Sequence, residues 1–299
     1  MLKNWISAAR PRTLFLAAST VILGSGLAWH ENKFNTLTFV LAFLLAIAIQ
    51  VLANFANDLG DFQKGTDTTG KRLGPTRALQ SGNITHSQMK KGVKIAVIVS
   101  AIIGLALIWN SANDIGATSM LIMAGLGLLC IVAALFYTMG KYAYGYRGWG
   151  DLLAFLFFGP VPVIGTYFLH VHSFDFQPVL PSIGLGFISA MILNINNMRD
   201  IENDKASGKI TIAARLGLQN ARVYHALLTF GMFACFIGYS VLYAPSPWYR
   251  YLYVVVFLMQ VAILKNVFQQ QRRELDPNLK KTSISGFLLV IAFVICINI

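Results

Sequence analysis

The chain alternates between long apolar stretches and shorter polar segments. Each apolar stretch runs for roughly 17–25 residues, the length that crosses the hydrocarbon core of a bilayer as a helix. A soluble core does not require so many consecutive segments of this length. The predicted spans have the approximate limits 13–30, 35–56, 93–109, 117–138, 150–170, 178–198, 221–243, 248–267 and 282–299. The pattern therefore predicts an all-α polytopic membrane protein that forms a single domain over residues 1–299.

The composition supports this interpretation. Hydrophobic residues make up 56% of the chain and charged residues only 12%, whereas a soluble domain carries about 25% charged residues. The three cysteines, Cys130, Cys235 and Cys296, lie singly in apolar stretches. None has the close spacing of a zinc site or a redox pair, so we interpret them as packing residues.

The basic residues predict the orientation of the chain. Three Lys or Arg residues precede the first span, and seven lie in 57–94, two in 139–149, five in 199–222 and five in 265–281, which makes 22 of 24. Because basic loops remain in the cytoplasm, we expect the N-terminus and these loops there and the C-terminus outside. The expected location is a bacterial inner membrane. The net charge of +12 thus reflects topology and does not indicate a nucleic-acid partner.

Two Asn/Asp clusters mark the cytoplasmic ends of the second and sixth spans. Their members are Asn54, Asp58 and Asp61, and Asn196, Asp200 and Asp204. At about 100° per residue, a helix places the first set within roughly 60° and the second within about 80°. Crowded carboxylates repel each other unless a cation intervenes, and oxygen ligands suit Mg²⁺, which also binds substrate phosphates. Each cluster is a candidate Mg²⁺ site; the alternative is a solvated polar helix end.

Basic residues beside glycines follow both clusters. Arg72 and Arg77 come after the first cluster, and Lys209 comes after the second. The planar fork of arginine matches phosphate oxygens. Most basic residues in these loops are ordinary cytoplasmic charges, but these three are predicted to bind a diphosphate.

A third cytoplasmic element joins the fourth and fifth spans. Tyr137, Lys141 and Asp151 are candidates for a site that holds a cationic intermediate, because aromatic faces attract cations. The remaining aromatic side chains of this loop are predicted to form an interfacial belt, and they are Tyr142, Tyr144, Tyr146 and Trp149.

Taken together, these motifs resemble the UbiA superfamily of intramembrane aromatic prenyltransferases. The resemblance extends from Ala9-Arg10-Pro11-Arg12-Thr13-Leu14 to about the eighth span. Its most specific stretches are Asn54-Phe55-Ala56-Asn57-Asp58-Leu59-Gly60-Asp61 with Lys64-Gly65-Thr66-Asp67, Tyr137-Thr138 with Gly148-Trp149-Gly150-Asp151, and Leu193-Asn194-Ile195-Asn196-Asn197-Met198-Arg199-Asp200. The sequences of these motifs are most similar to those of the branch that prenylates 1,4-dihydroxy-2-naphthoate in menaquinone synthesis. Asn196 departs from relatives that carry Asp at this position.

The resemblance implies nine helices around a central cavity that binds Mg²⁺, a polyprenyl diphosphate and an aromatic acid acceptor within membrane lipid. No obligatory protein partner is implied. The implied metal ligands are Asn54, Asp58, Asp61, Asp200 and Asp204. The implied diphosphate ligands are Arg72, Arg77, Lys141 and Lys209, with Asn196 also in the substrate site. Tyr137 is assigned to the cation or the acceptor, and Asp67 and Asp151 are candidate bases.

Two alternatives remain open at this point. Another acceptor, such as 4-hydroxybenzoate, homogentisate, haem or a glycerol phosphate, fits the same superfamily. A cation-coupled secondary transporter is the alternative from another class, with the Asn/Asp clusters as ion sites. That reading predicts polar residues near the bilayer midplane, whereas here they lie at the cytoplasmic ends of the spans.

Overall fold

The computed structural model describes residues 2–67, 69 and 73–299, and all regular elements within them are helical. The α-helices are α1 (Leu2–Ala9), α2 (Pro11–His30), α3 (Thr36–Gln63), α4 (His86–Asn110), α5 (Ala112–Phe136), α6 (Gly150–Phe157), α7 (Pro160–Val171), α8 (Val179–Arg199), α9 (Ile201–Ala206), α10 (Ile212–Tyr243), α11 (Phe257–Gln269) and α12 (Asp276–Asn298). Short 3₁₀ helices cover Tyr144–Tyr146, Trp248–Val256 and Arg272–Leu275.

The predicted number of spans is confirmed. Among the described residues, nine helical segments are long and apolar enough to cross a membrane. Four of them are single α-helices without an internal break or kink, namely α2, α3, α4 and α8. The chain is therefore an integral membrane protein with an all-α fold.

Helix starts account for most differences between predicted and observed limits. The predicted third span began at residue 93, but α4 begins at His86. Thr85 caps it, because its side-chain oxygen accepts a hydrogen bond from the Gln88 N–H at 3.2 Å while the Gln88 side chain accepts from the Thr85 N–H at 2.8 Å. Thr211 caps α10 through its side-chain oxygen alone, which accepts from the Ala214 N–H at 3.1 Å. An apolar run does not reveal polar first turns of this kind.

The fifth span is broken, which the hydropathy pattern did not predict. Helix α6 ends at Phe157 and α7 begins at Pro160, whose ring nitrogen has no hydrogen to donate. Gly159 lies between them against α8. A Cβ at this position would stand 2.6 Å from the Gly186 Cα and the Ser182 carbonyl oxygen, so glycine permits the close approach of the two spans.

The core consists of two packed groups of helices with a cavity between them. Helices α2, α8, α10 and α12 share the largest apolar cluster, whereas α1, α3, α4 and α5 share a second one. The cavity has a volume of about 580 Å³, and residues from both groups line it. This confirms the predicted arrangement of spans around a central cavity.

Candidate active site

The last turns of α3 carry the first Asn/Asp cluster on the cavity wall. Because α3 remains helical to Gln63, Asn54, Asp58 and Asp61 share one face, and each is buried. The Asn54 amide donates to the Ala9 carbonyl at 2.8 Å and to the Thr13 hydroxyl at 2.9 Å. Asn54 thereby ties α3 to the start of α2, and its role as a metal ligand stays a prediction.

Two arginines neutralise this cluster. Arg77 pairs with Asp61, with Asp67 at 3.1 Å and with Asp58 at 3.7 Å, and Arg10 pairs with Asp58. Burial alone lowers the pKa of Arg77, but the three carboxylates outweigh burial and raise it above its usual value. Arg77 therefore remains a cation in the site where a diphosphate ligand was predicted.

Arg10 was not among the predicted site residues. Its backbone adopts the left-handed region, with φ 50° and ψ 71°, at a cost of about 1–2 kcal/mol for a residue with a Cβ. The following Pro11 disfavours the right-handed helical conformation here, and the resulting turn aims the guanidinium at Asp58. The position of Arg10 beside Pro11 in the first family motif was the signal that the prediction did not use.

The second cluster departs from the predicted geometry. Asn196, Asp200 and Asp204 were expected on one continuous helix, but α8 ends at Arg199 and α9 begins at Ile201. This prediction was wrong because Asp200 has a ψ of 17°, which bends the chain. The three residues still lie one turn apart along the chain. The N–H of Asp200 donates to the Asn196 carbonyl, and the N–H of Asp204 donates to the Asp200 carbonyl.

Cations also neutralise the second cluster. Arg199 pairs with Asp200 at 2.6 Å and also with Asp276 of α12, and Lys209 lies 3.9 Å from Asp204. Burial raises the pKa of Asp204 to about 6, with Asp200 adding to the rise and Lys209 opposing it. Arg199 was also missed as a site residue, although it lies inside the second motif.

Tyr146 connects the two clusters, which corrects its assignment to the interfacial belt. Its hydroxyl donates to Asp61 at 2.6 Å, and the Lys209 ammonium lies 5.6 Å from its ring centre. Its backbone carbonyl accepts from the Ile210 N–H at 3.1 Å. Burial, with the charge of Asp61, raises the pKa of Tyr146, so the hydroxyl keeps its proton and acts as a donor. The two acidic clusters therefore belong to one site.

The rest of the 137–149 loop divides between site and surface. Tyr137 and Tyr144 line the cavity, with ring centres 5.3 Å apart in an edge-on arrangement; for Tyr144 the belt prediction was wrong. Tyr142 and Trp149 are exposed, as that prediction requires. Burial raises the pKa of Tyr137, so its ring stays neutral beside the carboxylates.

Not every predicted residue reaches the cavity. Lys141 is exposed, and its ammonium lies 5.8 Å from the Tyr142 ring centre, because the backbone turns at Gly140 with φ 77°. The structure therefore does not bring Lys141 to the diphosphate region. Asp151 is buried at the start of α6, and one of its carboxylate oxygens has no hydrogen-bond partner among the described residues. Arg72 lies outside the described residues.

The acidic residues suit a metal that shares its ligands with a substrate. Among the described residues, no group of three or more His, Cys, Asp or Glu side chains forms a cage for a metal ion by itself. Asp58 with Asp61, and Asp200 with Asp204, instead supply two carboxylates each. Oxygen-only pairs of this kind fit Mg²⁺, which uses one or two carboxylates and completes its shell with phosphates and water.

Away from the carboxylates the cavity becomes apolar. Its walls there include the residues Ile49, Ala53, Cys130, Ala133, Leu153, Phe157 and Phe158. They belong to α3, α5, α6 and the α6–α7 break, within the membrane-spanning part of the fold. The cavity thus combines a charged end with an apolar end, as a lipid-tailed anion requires.

Gly60 sets the distance between α3 and the loop that carries Tyr137. A Cβ on Gly60 would lie 2.4 Å from the Thr138 hydroxyl and 2.7 Å from the Thr138 backbone. Gly60→Ala is expected to displace this loop, to destabilise the fold by about 1–3 kcal/mol and to lower kcat/KM by about 100-fold, since small displacements of catalytic groups are costly. Thermal unfolding measures the change in stability, and steady-state kinetics with one substrate varied at a time measure the change in kcat/KM.

Gly125→Ala in α5 is the matched control for this change. A Cβ at Gly125 meets nothing within 4 Å, so this variant should have wild-type kinetics and should be at least as stable as the wild type, since alanine favours a helix over glycine. Wild-type kinetics in Gly60→Ala would show that the loop tolerates displacement and that Tyr137 does not require this position.

Comparison with known proteins agrees with this geometry. The sequence model of the UbiA prenyltransferase family matches residues 17–292. The chain is 42% identical to the 1,4-dihydroxy-2-naphthoate octaprenyltransferase of Haemophilus influenzae, over 98% of this chain and 94% of that protein. It is 38% identical to the Escherichia coli protein of the same name, over 91% and 86%, and 33% identical to that of Mycobacterium tuberculosis, over 97% and 94%.

Solved structures share the fold. A UbiA homologue from Aeropyrum pernix superposes with a TM-score of 0.68 at 15% identity, over 94% of this chain and 97% of that one. A UbiA homologue from Archaeoglobus fulgidus bound to GPP and Mg²⁺ has a TM-score of 0.67 at 14% identity, over 99% and 100%. The match of the family model over most of the chain and the identity to these relatives confirm the resemblance read from the motifs: the chain belongs to the UbiA prenyltransferase family.

Proposed function

We propose that this protein transfers a polyprenyl group from polyprenyl diphosphate to 1,4-dihydroxy-2-naphthoate, with loss of diphosphate and CO₂, to give demethylmenaquinol. The observation that carries the proposal is the joining of two buried Asp pairs through Tyr146 and Lys209. Asp58, Asp61 and Lys209 line the charged end of an apolar intramembrane cavity, and Asp200 and Asp204 lie behind Lys209 and Asn196. The choice of acceptor rests on relatives at 33–42% identity whose names specify that substrate.

The donor is proposed to lie with its diphosphate between the Asp pairs and its prenyl chain along the apolar wall. Asp58, Asp61, Asp200 and Asp204 would hold Mg²⁺ together with the diphosphate. When bound, Mg²⁺ withdraws negative charge from the diphosphate and so favours its departure. Support for this choice of metal comes from the oxygen-only donor set and from the related A. fulgidus protein, whose structure contains GPP and Mg²⁺.

The protein residues have separate roles in this reaction. Arg77 and Lys209 line the charged end of the cavity and bind the leaving diphosphate through charge-assisted hydrogen bonds. Asn196, also on the cavity wall, is assigned to substrate binding. The Tyr137 ring faces the allylic carbon and stabilises its positive charge. The apolar wall excludes water, which would otherwise capture the allylic cation.

The bonding changes balance without an added reagent. The allylic C–O bond breaks with its electron pair going to diphosphate, and an electron pair of the ring forms the new C–C bond at the ring carbon that bears the carboxylate. The bond from the ring to the carboxyl carbon then breaks, its electron pair restores aromaticity, and CO₂ leaves. A base is needed only to remove a proton from a ring hydroxyl during attack and to return it to the product, and Asp67 and Asp151 are the buried candidates.

The site is proposed to face the cytoplasm of a bacterial inner membrane. All residues of the charged end lie near segments that carry 22 of the 24 Lys and Arg residues, which remain on the cytoplasmic side. A soluble aromatic acid and a membrane-embedded prenyl diphosphate meet at such a surface. The C-terminal Ile299 then lies outside.

A comparison of acceptors tests the proposed function. Purified protein receives geranylgeranyl diphosphate and Mg²⁺ with 1,4-dihydroxy-2-naphthoate, 4-hydroxybenzoate or homogentisate, and prenylated products and CO₂ are measured. The naphthoate is expected to give both product and CO₂. Turnover of 4-hydroxybenzoate or homogentisate without turnover of the naphthoate would overturn the acceptor and leave the prenyl transfer in place.

A further inference from the structure

Part of the cavity wall is built by α2 and α12, which carry neither Asp cluster. Arg12, Leu16, Leu279 and Ser283 line the cavity there. The Ser283 hydroxyl donates to the Arg12 carbonyl at 2.9 Å, which fixes the start of α2 against α12. This wall therefore offers one cation, apolar surface and a hydroxyl group that the roles assigned above leave unused.

Arg12 differs from the other arginines of the cavity. Arg10 and Arg77 are hydrogen-bonded to carboxylates, whereas the nearest carboxylate to Arg12 is that of Asp276 at 3.9 Å, too far for a hydrogen bond. Among the described cavity residues, Arg12 is thus the arginine without a carboxylate hydrogen bond. Its side chain is 35% exposed, and a guanidinium carries five N–H donors.

The neighbouring charges leave Arg12 only partly compensated, because Asp276, its nearest carboxylate, lies 3.9 Å away. Asp276 is already paired with Arg199, whose side chain is only 1% exposed. The positive charges of Arg199 and Arg77 act against that of Arg12. An anion entering this part of the cavity would relieve this repulsion, and it would do so apart from the Asp pairs.

We propose that Arg12 binds the carboxylate of the aromatic acceptor. This assignment rests on the proposed function and deepens it. Leu16 and Leu279, both largely buried, supply apolar surface for the ring, and the arginine fork matches a carboxylate. The acceptor requires a cation of its own because its carboxylate and the diphosphate repel each other.

The assignment predicts a particular kinetic pattern. Arg12→Gln should raise the KM for 1,4-dihydroxy-2-naphthoate by about 10- to 100-fold, the loss that accompanies removal of a charge-assisted hydrogen bond. The KM for geranylgeranyl diphosphate should not change. At saturating acceptor, kcat should be unchanged or higher, because a cation on the carboxylate stabilises the bound acceptor and not the loss of CO₂.

An acceptor without the carboxylate provides the discriminating comparison. The wild type should prefer 1,4-dihydroxy-2-naphthoate over 1,4-dihydroxynaphthalene, and Arg12→Gln should lose this preference by weakening only the former. Arg12→Lys should recover part of it. Arg273→Gln, which removes an exposed cation near the start of α12, is the control and should behave as the wild type.

Equilibrium binding of 1-hydroxy-2-naphthoate separates this proposal from the proposed function. If the proposed function fails, the wild type does not prenylate the naphthoate, yet Arg12→Gln still weakens binding of this analogue. If the Arg12 assignment fails, binding of the analogue is unchanged by the substitution. The assignment would also be overturned if Arg12→Gln lowered kcat/KM equally for 1,4-dihydroxy-2-naphthoate and 1,4-dihydroxynaphthalene. A rise only in the KM for geranylgeranyl diphosphate would overturn it as well.

Discussion

Asp58→Asn and Asp200→Asn should each lower prenyl transfer by about 10²–10³-fold or more, the range seen when one electrostatic contact to a developing charge is removed. Asp58 comes from α3 and Asp200 from the bend after α8, so each substitution removes one charge from a different pair. Asn keeps the size and one oxygen but loses the charge that attracts a divalent cation. Turnover of geranylgeranyl diphosphate at saturating substrates and Mg²⁺ measures the effect.

The two variants also distinguish a metal site from a polar helix end. Both proteins should remain inserted and folded, as judged by gel filtration in detergent, although each loses one partner of a buried ion pair and should therefore unfold at a lower temperature. Asp114→Asn, whose side chain is 54% exposed at the opposite end of the spans, is the control and should retain full activity. Near-normal turnover in both Asp58→Asn and Asp200→Asn would indicate that the clusters are solvated helix ends and not metal sites.

Removal of divalent metal also tests whether the Asp pairs form a metal site. Excess EDTA should abolish turnover, and Mg²⁺ should restore it. Binding of the diphosphate to the metal-free protein should also weaken, since the paired carboxylates then face the phosphate oxygens directly. Activity that persists in EDTA would contradict metal-assisted departure of diphosphate.

The features that the sequence predicted correctly are those with a strong periodic or charge signal. Nine apolar runs of membrane length allow few other interpretations, and the first Asp cluster kept its helical geometry because α3 continues unbroken to Gln63. The continuous helix predicted for the second cluster is interrupted at Asp200, next to Arg199, whose guanidinium pairs with Asp276 of α12. Helical spacing contains no information about such contacts.

Residues that act by bridging distant segments were the ones missed. Tyr146 lies 85 positions from Asp61, and Arg10 lies 48 positions from Asp58. Within the local sequence, Tyr146 is one of several aromatics at the end of a span, and Arg10 is one of many cations in the segments outside the spans. The place of Arg10 in the first motif is a signal in the sequence, whereas only the folded arrangement of α3 and the 137–149 loop distinguishes Tyr146 from its neighbours.

Arg77→Gln should affect stability and activity together, and Mg²⁺ should offset only the first effect. In the wild type, Arg77 and Arg10 form ion pairs with the carboxylates of Asp58, Asp61 and Asp67. Removing one partner of a buried ion pair costs about 3–5 kcal/mol, because a buried charge is left uncompensated. The thermal unfolding temperature should therefore fall, and turnover should fall by about 100-fold or more through loss of a diphosphate contact.

Mg²⁺ should raise the unfolding temperature of Arg77→Gln by more than that of the wild type, since the vacated carboxylates then attract the metal without competition from a guanidinium. Lys91→Gln, which removes an exposed cation of α4, should show the wild-type response. Equal stabilisation of wild type and Arg77→Gln by Mg²⁺ would mean that the metal and Arg77 do not share the same carboxylates. The larger response follows from linkage, because a ligand stabilises the folded protein more when it binds more tightly, and Mg²⁺ should bind more tightly once the competing guanidinium is removed.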